Sequence, residues 1–174
     1  MYDIMILNFI KEYFHSNVGD AFFVFITYLG EGGFIWILLA LFLILLKKEY
    51  RLGISMFVAL SLVGIVCLLI VKPMVARERP FYYVEGIQLL IKKPTDFSFP
   101  SGHTASSFAA VTVLFLNKSK SFKPTLVLAV LISFSRLYLY VHYPSDVLFG
   151  IIFGVLLAYI ANKVVNEISK KIKT

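Results

Sequence analysis

Three short polar clusters interrupt an otherwise apolar chain of 174 residues. They are Lys72-Pro73-Met74-Val75-Ala76-Arg77-Glu78-Arg79-Pro80, then Pro100-Ser101-Gly102-His103, then Ser135-Arg136 followed by His142 and Asp146. Lys72, Arg79 and Arg136 suit phosphate oxygens, arginine as a planar fork and lysine as a point charge. His103 and His142 provide two imidazoles. One, neutral, can attack phosphorus; the other, protonated, can give its proton to the departing oxygen. Asp146 can fix the tautomer of a catalytic histidine and stabilise its imidazolium form. Ser101 and Gly102 sit where an apolar helix begins, so a serine cap and exposed N–H groups can cradle an anion. Together these groups fit phosphoryl transfer through a covalent histidine.

The sequence ranks the two histidines in one respect only: His142 has a carboxylate nearby. Pro144 lies between His142 and Asp146, which predicts Pro144 in the first turn of a helix and Asp146 near its third position. From there the carboxylate can reach back to His142 or cap the helix, and the two jobs are compatible. A single arginine at the end of a membrane span commonly only snorkels to the interface. Three cations in company with two histidines are not explained that way. Arg77, Lys92 and Lys93 are read as surface charges, and His15 as an interfacial residue outside the site. No metal and no cofactor are expected: zinc would need a third protein ligand, magnesium or calcium several carboxylates, and the clusters offer Asp146.

The elements that must position these residues are read from hydropathy. The chain is 59% hydrophobic, more than the core of a soluble domain this size needs, and its 16% aromatic content suits interfacial belts. Apolar runs at Phe34–Leu46, Leu52–Val71, Thr104–Leu116, Leu126–Val141 and Val147–Val164 predict membrane helices, each span needing ~20 residues with its flanks. Ala21–Leu29 is apolar as well, but Gly30-Glu31-Gly32-Gly33 interrupts it, predicting a broken span or a re-entrant helix. Met1–His15 sets Ile4, Leu7, Ile10, Tyr13 and Phe14 against Asp3, Lys11 and Glu12, the pattern of an interfacial helix. It lacks the basic start of a cleavable signal peptide. The expected fold is an all-α polytopic membrane bundle of five or six transmembrane helices, one domain over residues 1–174, with an N-terminal interfacial or re-entrant helix.

The net charge of +7 is distributed as short basic runs between apolar segments, so it does not form a nucleic-acid patch. Lys47, Lys48 and Arg51, then Lys118, Lys120 and Lys123, then Lys170, Lys171 and Lys173 fall on one side if the spans alternate. That side is expected to be the cytoplasm, placing the C-terminus there and all three clusters on the extracytoplasmic face of a multi-pass membrane protein. The long connection Pro73–Phe99 joins the first two clusters, and a loop of that length is commonly functional; Tyr82, Tyr83 and Glu85 are candidates to shape selectivity. Cys67, the single cysteine, lies in an apolar run and suits core packing.

The pattern KxxxxxxRP, PSGH and SRxxxxxHxxxD resembles the signature of the type 2 phosphatidic acid phosphatase family, with all three blocks present from Lys72 to Asp146. The resemblance implies a metal-independent phosphatase in which His142 becomes phosphohistidine and His103 is the general acid. Lys72, Arg79, Ser101, Gly102 and Arg136 would hold the phosphate, and the substrate would be a membrane lipid reached from the bilayer. A compact chain with short loops is similar to the small bacterial members that act on undecaprenyl pyrophosphate. Phosphatidylglycerophosphate, phosphatidate and diacylglycerol pyrophosphate are the rival lipids, and transfer to an alcohol is the rival reaction. A non-enzymatic anion-binding protein is a third reading, and the haloperoxidase branch, soluble and larger, is disfavoured.

Overall fold

A computed structural model describes residues 2–84 and 86–171, and every helix or turn of regular structure among them is helical. The helices are α1 (Tyr2–Phe14), α2 (Asn17–Leu29), α3 (Phe34–Leu45), α4 (Tyr50–Val63), α5 (Lys72–Val75), α6 (Gly102–Leu116), α7 (Phe122–Tyr138) and α8 (Pro144–Lys171). Tyr50–Tyr82 and α8 are long and apolar enough to cross a bilayer. A third such segment arises if α2 and Glu31–Leu45, bent by 43°, form one span; α6 is apolar but shorter. Many large apolar side chains face outward, among them Phe25, Leu45, Leu69, Phe115 and Leu156. So continuous an apolar surface fits contact with lipid rather than water.

Helix α6 is the spine of the bundle, packed on α8, α4 and α7. Its contact with α8 depends on small residues. A Cβ on Gly154 would collide with the Ala105 carbonyl oxygen and lie 3.1 Å from the Ala109 nitrogen. Glycine there lets the two backbones touch, the small-residue packing that membrane helices use in place of a hydrophobic driving force. Helix α3 is pinned to α6 by Trp36 Nε1–H, which donates to Ser107 Oγ at 3.0 Å.

Two local distortions sit beside the polar clusters. Between α4 and α5 the helix widens into a π-helical stretch, Gly64–Val71, and the Lys72 amide donates to the Cys67 carbonyl five residues back. Pro73 has no N–H to donate and its ring crowds the preceding turn, which accounts for a register change here. At the α7–α8 turn Tyr140 adopts a left-handed conformation (φ 58°), and the amides of Val141 and His142 both fold back on the Arg136 carbonyl at 3.2 and 3.3 Å. That turn directs His142 inward.

Several sequence expectations need adjustment. Helix α8 starts at Pro144, with Asp146 as its third residue as expected, and continues to Lys171. Helix α7 ends at Tyr138, short of Val141, because the turn begins there. The connection Pro73–Phe99 holds the end of α5 and a 3-10 turn at Pro80–Tyr82. In α1, Leu7 and Ile10 are buried as the amphipathic pattern requires, whereas Tyr13 and Phe14 are exposed. Asp3, assigned to the polar face, instead points into the protein, where Arg77 and Ser145 donate to it. Glu85 and Lys173 lie outside the described residues.

Candidate active site

The ends of α5, α6 and α7, the α7–α8 turn and the turn after α2 surround a cavity of about 730 Å³. Lys72, Arg79, Gly102, His103, Arg136 and His142 all line it. Residues separated by up to 70 positions in sequence thus meet in one place. Ser101 and Asp146, fully buried, stand behind this lining. Ser101 is the N-cap of α6: its Oγ accepts the Thr104 hydroxyl at 3.0 Å and the Thr104 amide at 3.4 Å. Its own amide donates to the Asp146 carbonyl, which ties the α6 start to α8.

His142 lies between a carboxylate and a guanidinium. Its Nδ1 is 3.4 Å from Asp146 Oδ2, and its Nε2 is 3.2 Å from Arg79 Nη1. An arginine nitrogen can only donate. The network therefore assigns the proton to Nδ1, facing Asp146, and makes Nε2 the acceptor of the Arg79 N–H at the cavity wall. Burial, then the charges of Arg79, Arg136, Lys72 and His103, push the His142 imidazole well below its ordinary range, so the neutral ring is the stable form. Asp146 Oδ2 faces His142 and also accepts the Tyr143 amide at 2.9 Å.

The cations are held in place by partners. Arg79 donates through Nη1 to the Val141 carbonyl at 2.6 Å, through Nε to the Asp96 carbonyl at 2.8 Å and through Nη2 to Asp96 Oδ1 at 2.7 Å. Lys72 Nζ also donates to Asp96. Burial alone would raise the Asp96 carboxyl, but the hydrogen bond and charge of Lys72, with Arg79, outweigh it and hold the group below the usual carboxylate range. Arg136, from α7, donates through Nη1 to Thr27 Oγ1 of α2. Its Nε and His103 Nε2 are buried without a hydrogen-bond partner among the described residues. Both side chains belong to the cavity wall, and buried polar groups of this kind call for a partner. Among the described residues no three His, Cys, Asp or Glu side chains converge as a metal site.

The sequence profile described as the PAP2 superfamily matches residues 50–170. The chain belongs to that superfamily. Its similarity extends to an undecaprenyl-diphosphatase of Sulfolobus acidocaldarius, 33% identical over 82% of this chain and 68% of that protein. It also extends to undecaprenyl-diphosphatase BcrC of Bacillus subtilis, 30% identical over 84% of this chain and 75% of that one. Among solved structures, Aquifex aeolicus LpxE superposes with a TM-score of 0.79 at 30% identity, covering 94% of this chain and 96% of its own. The protein is thus a PAP2 phosphatase, a membrane hydrolase of phosphate esters.

Three residues of this PAP2 site were not assigned from sequence. Arg77 is no surface charge: Nη1 donates to Asp146 Oδ1 and to Ser145 Oγ, both at 2.7 Å, Nη2 donates to Asp3 at 2.9 Å, and the guanidinium lies 3.8 Å from the Tyr143 ring centroid. A carboxylate as buried as Asp146 has to be paired, and that requirement was available from the sequence once a burial for Asp146 was assumed. Asp96, in the long connection, bridges Lys72 and Arg79 as described. Glu31 lines the cavity beside His103. Lys92 and Lys93 are exposed as expected but also border the cavity, Lys93 resting 4.0 Å from the Tyr82 ring centroid. Tyr82 and Tyr83 are exposed and are not part of the cavity wall. His15 stacks on Tyr138 at 4.1 Å, outside the cavity wall.

Proposed function

We propose that the protein removes a phosphate from a lipid-linked pyrophosphate, undecaprenyl pyrophosphate in the first instance, by way of a phosphohistidine at His142. The observation that carries this reading is His142 in the wall of a cavity shared with Arg79, Arg136, Lys72 and His103, its Nε2 3.2 Å from Arg79 Nη1 and its Nδ1 on the Asp146 side. In the first step Nε2 attacks the terminal phosphorus, an N–P bond forms and the P–O bond to the lipid phosphate breaks. His103 gives its proton to the departing oxygen. Asp146, facing Nδ1–H, stabilises the cationic ring that results. In the second step His103 takes a proton from water, the hydroxide oxygen bonds to phosphorus, and the N–P bond breaks to return neutral His142 and inorganic phosphate. Lys72, Arg79 and Arg136, with the Gly102 amide at the α6 N-terminus, offset the charge that develops on the phosphoryl oxygens. Ser101 contributes as the cap that fixes this N-terminus.

The names of the two undecaprenyl-diphosphatases support the choice of lipid. We read five crossings: α2 with α3 as one bent span, α4 with α5, and α6, α7 and α8. The basic runs at Lys47, Lys48 and Arg51 and at Lys118, Lys120 and Lys123 then lie at the end opposite the cavity, together with the end of α8. By the positive-inside rule that end is cytoplasmic, and the cavity opens at the extracytoplasmic headgroup level. The whole chain forms a single phosphatase domain in this reading.

The test is phosphate release from purified protein in detergent with excess chelator, using undecaprenyl pyrophosphate and phosphatidate in parallel, for wild type and His142→Ala. Chelator-resistant turnover, faster on the pyrophosphate and lost in the variant, is the expected result. Preference for phosphatidate would move the substrate to the phospholipid class, and full activity in the variant would remove His142 from the mechanism.

A further inference from the structure

The turn Gly30-Glu31-Gly32-Gly33 places a carboxylate at the cavity, where a phosphatase mechanism has no evident use for one. The turn brings it against His103, and its charge also acts on Arg136. A Cβ on Gly30 would lie 2.9 Å from His103 Cδ2 and 2.7 Å from Ile132 Cγ2, so only glycine lets the turn approach the imidazole this closely. Gly32 and Gly33 follow in left-handed conformations (φ 56° and 71°), which fold the chain back onto Ser106 of α6. The Glu31 side chain is 68% exposed, yet its Oε2 lies at an ion-pair distance of 3.6 Å from His103 Nε2, an atom that has no hydrogen-bond partner among the described residues.

The other charged and titratable groups around His103 do not provide a counterion. Arg136 from α7, Lys72 from α5 and Arg79 from the connection are cations, and His142 from the α7–α8 turn is an imidazole. Asp96 is paired with Lys72 and Arg79. A general acid must carry its proton before substrate arrives, and three neighbouring cations oppose that.

We propose that Glu31 is the positioning residue for His103, its carboxylate the counterion that favours the protonated imidazole at the cavity wall. The proposal rests on the reading of His103 as the general acid. Glu31 is mostly exposed at the cavity wall, so it faces His103 without being desolvated.

The experiment is the pH dependence of kcat/KM for undecaprenyl pyrophosphate hydrolysis by wild type, Glu31→Gln, Glu31→Asp and His103→Asn, with thermal unfolding in detergent measured for each. The expected result is an alkaline limb moved to lower pH by roughly one unit in Glu31→Gln, with unfolding unchanged, and moved back by Glu31→Asp. A loss that is uniform across pH, or an unmoved limb, overturns the proposal while leaving the catalytic assignment of His103 intact. Retention of the wild-type limb by His103→Asn overturns the general-acid reading itself, and the role of Glu31 with it.

Discussion

Arg77 Nη1 lies 2.7 Å from Asp146 Oδ1, on the oxygen that Asp146 does not turn toward His142. The carboxylate is fully buried, and this arginine is its charged partner. The same guanidinium reaches Ser145 and Asp3, so the N-terminal helix α1 is tied to the carboxylate behind His142.

Arg77→Ala leaves the Asp146 charge without its cation. Breaking a buried pair by removing one partner costs roughly 3–5 kcal/mol, and the low end applies because Arg77 is partly exposed. Groups that orient a working histidine are typically worth about 10–100-fold in metal sites, and a kcat loss of that order is expected here. Arg77→Lys does not restore it, since one ammonium cannot span Asp146, Ser145 and Asp3 together. Thermal unfolding in detergent and kcat for the three proteins check this.

The acid limb of kcat/KM follows from His142. Its folded-state value is depressed, so the ring stays neutral and nucleophilic at pH values where an ordinary histidine, near about 6.5, is already protonating. Activity should therefore persist below pH ~6.5 and fall only at more acidic pH. The stability sign is fixed by the same shift. As pH drops below the unfolded value the unfolded chain takes up a proton that the folded ring refuses, so stability declines through that window. His142→Asn should flatten this decline in unfolding measurements between neutral and acidic pH.

Asp96 competes with an incoming phosphate for Lys72 and Arg79. Asp96→Asn removes the charge and keeps an acceptor oxygen, and the anionic lipid should bind more tightly. Half-exposed ion pairs are worth roughly 0.2–1 kcal/mol, so KM should fall by up to about fivefold with kcat nearly constant. Steady-state kinetics at two ionic strengths measure it, the difference shrinking at higher salt.

Gly154→Val tests the packing that sets the site's frame. Its new Cβ meets the Ala105 backbone, which cannot turn aside as a flexible side chain could. Overpacking of this kind costs about 1–3 kcal/mol, and displacement of α6 against α8 separates His103 from His142. Lowered thermal stability together with lowered kcat is the expected pair of results.

The three clusters were legible in the sequence because a charged group in an apolar chain is conspicuous and its chemistry follows from its type. The helical runs were legible for the same reason, from the contrast in hydropathy. What the sequence hid was pairing across long separations. Arg77 meets Asp146 69 positions away, and Glu31 meets His103 across 72 positions, and no local pattern marks either contact. Asp3 was misplaced on the outer face of α1 because helical periodicity identifies a polar side but does not say whether water or a buried arginine meets it. The π-helical stretch before Lys72 was equally invisible, although Pro73 supplied a reason for one.

The most direct test of the central claim is rapid acid-free quenching of the enzyme during turnover of undecaprenyl pyrophosphate labelled in its terminal phosphate. Wild type should carry a protein-bound phosphate that is labile to acid and stable to base, as expected of phosphohistidine, and His142→Ala should lack it. A labelled intermediate of equal amount in His142→Ala would place the covalent bond elsewhere and contradict the account.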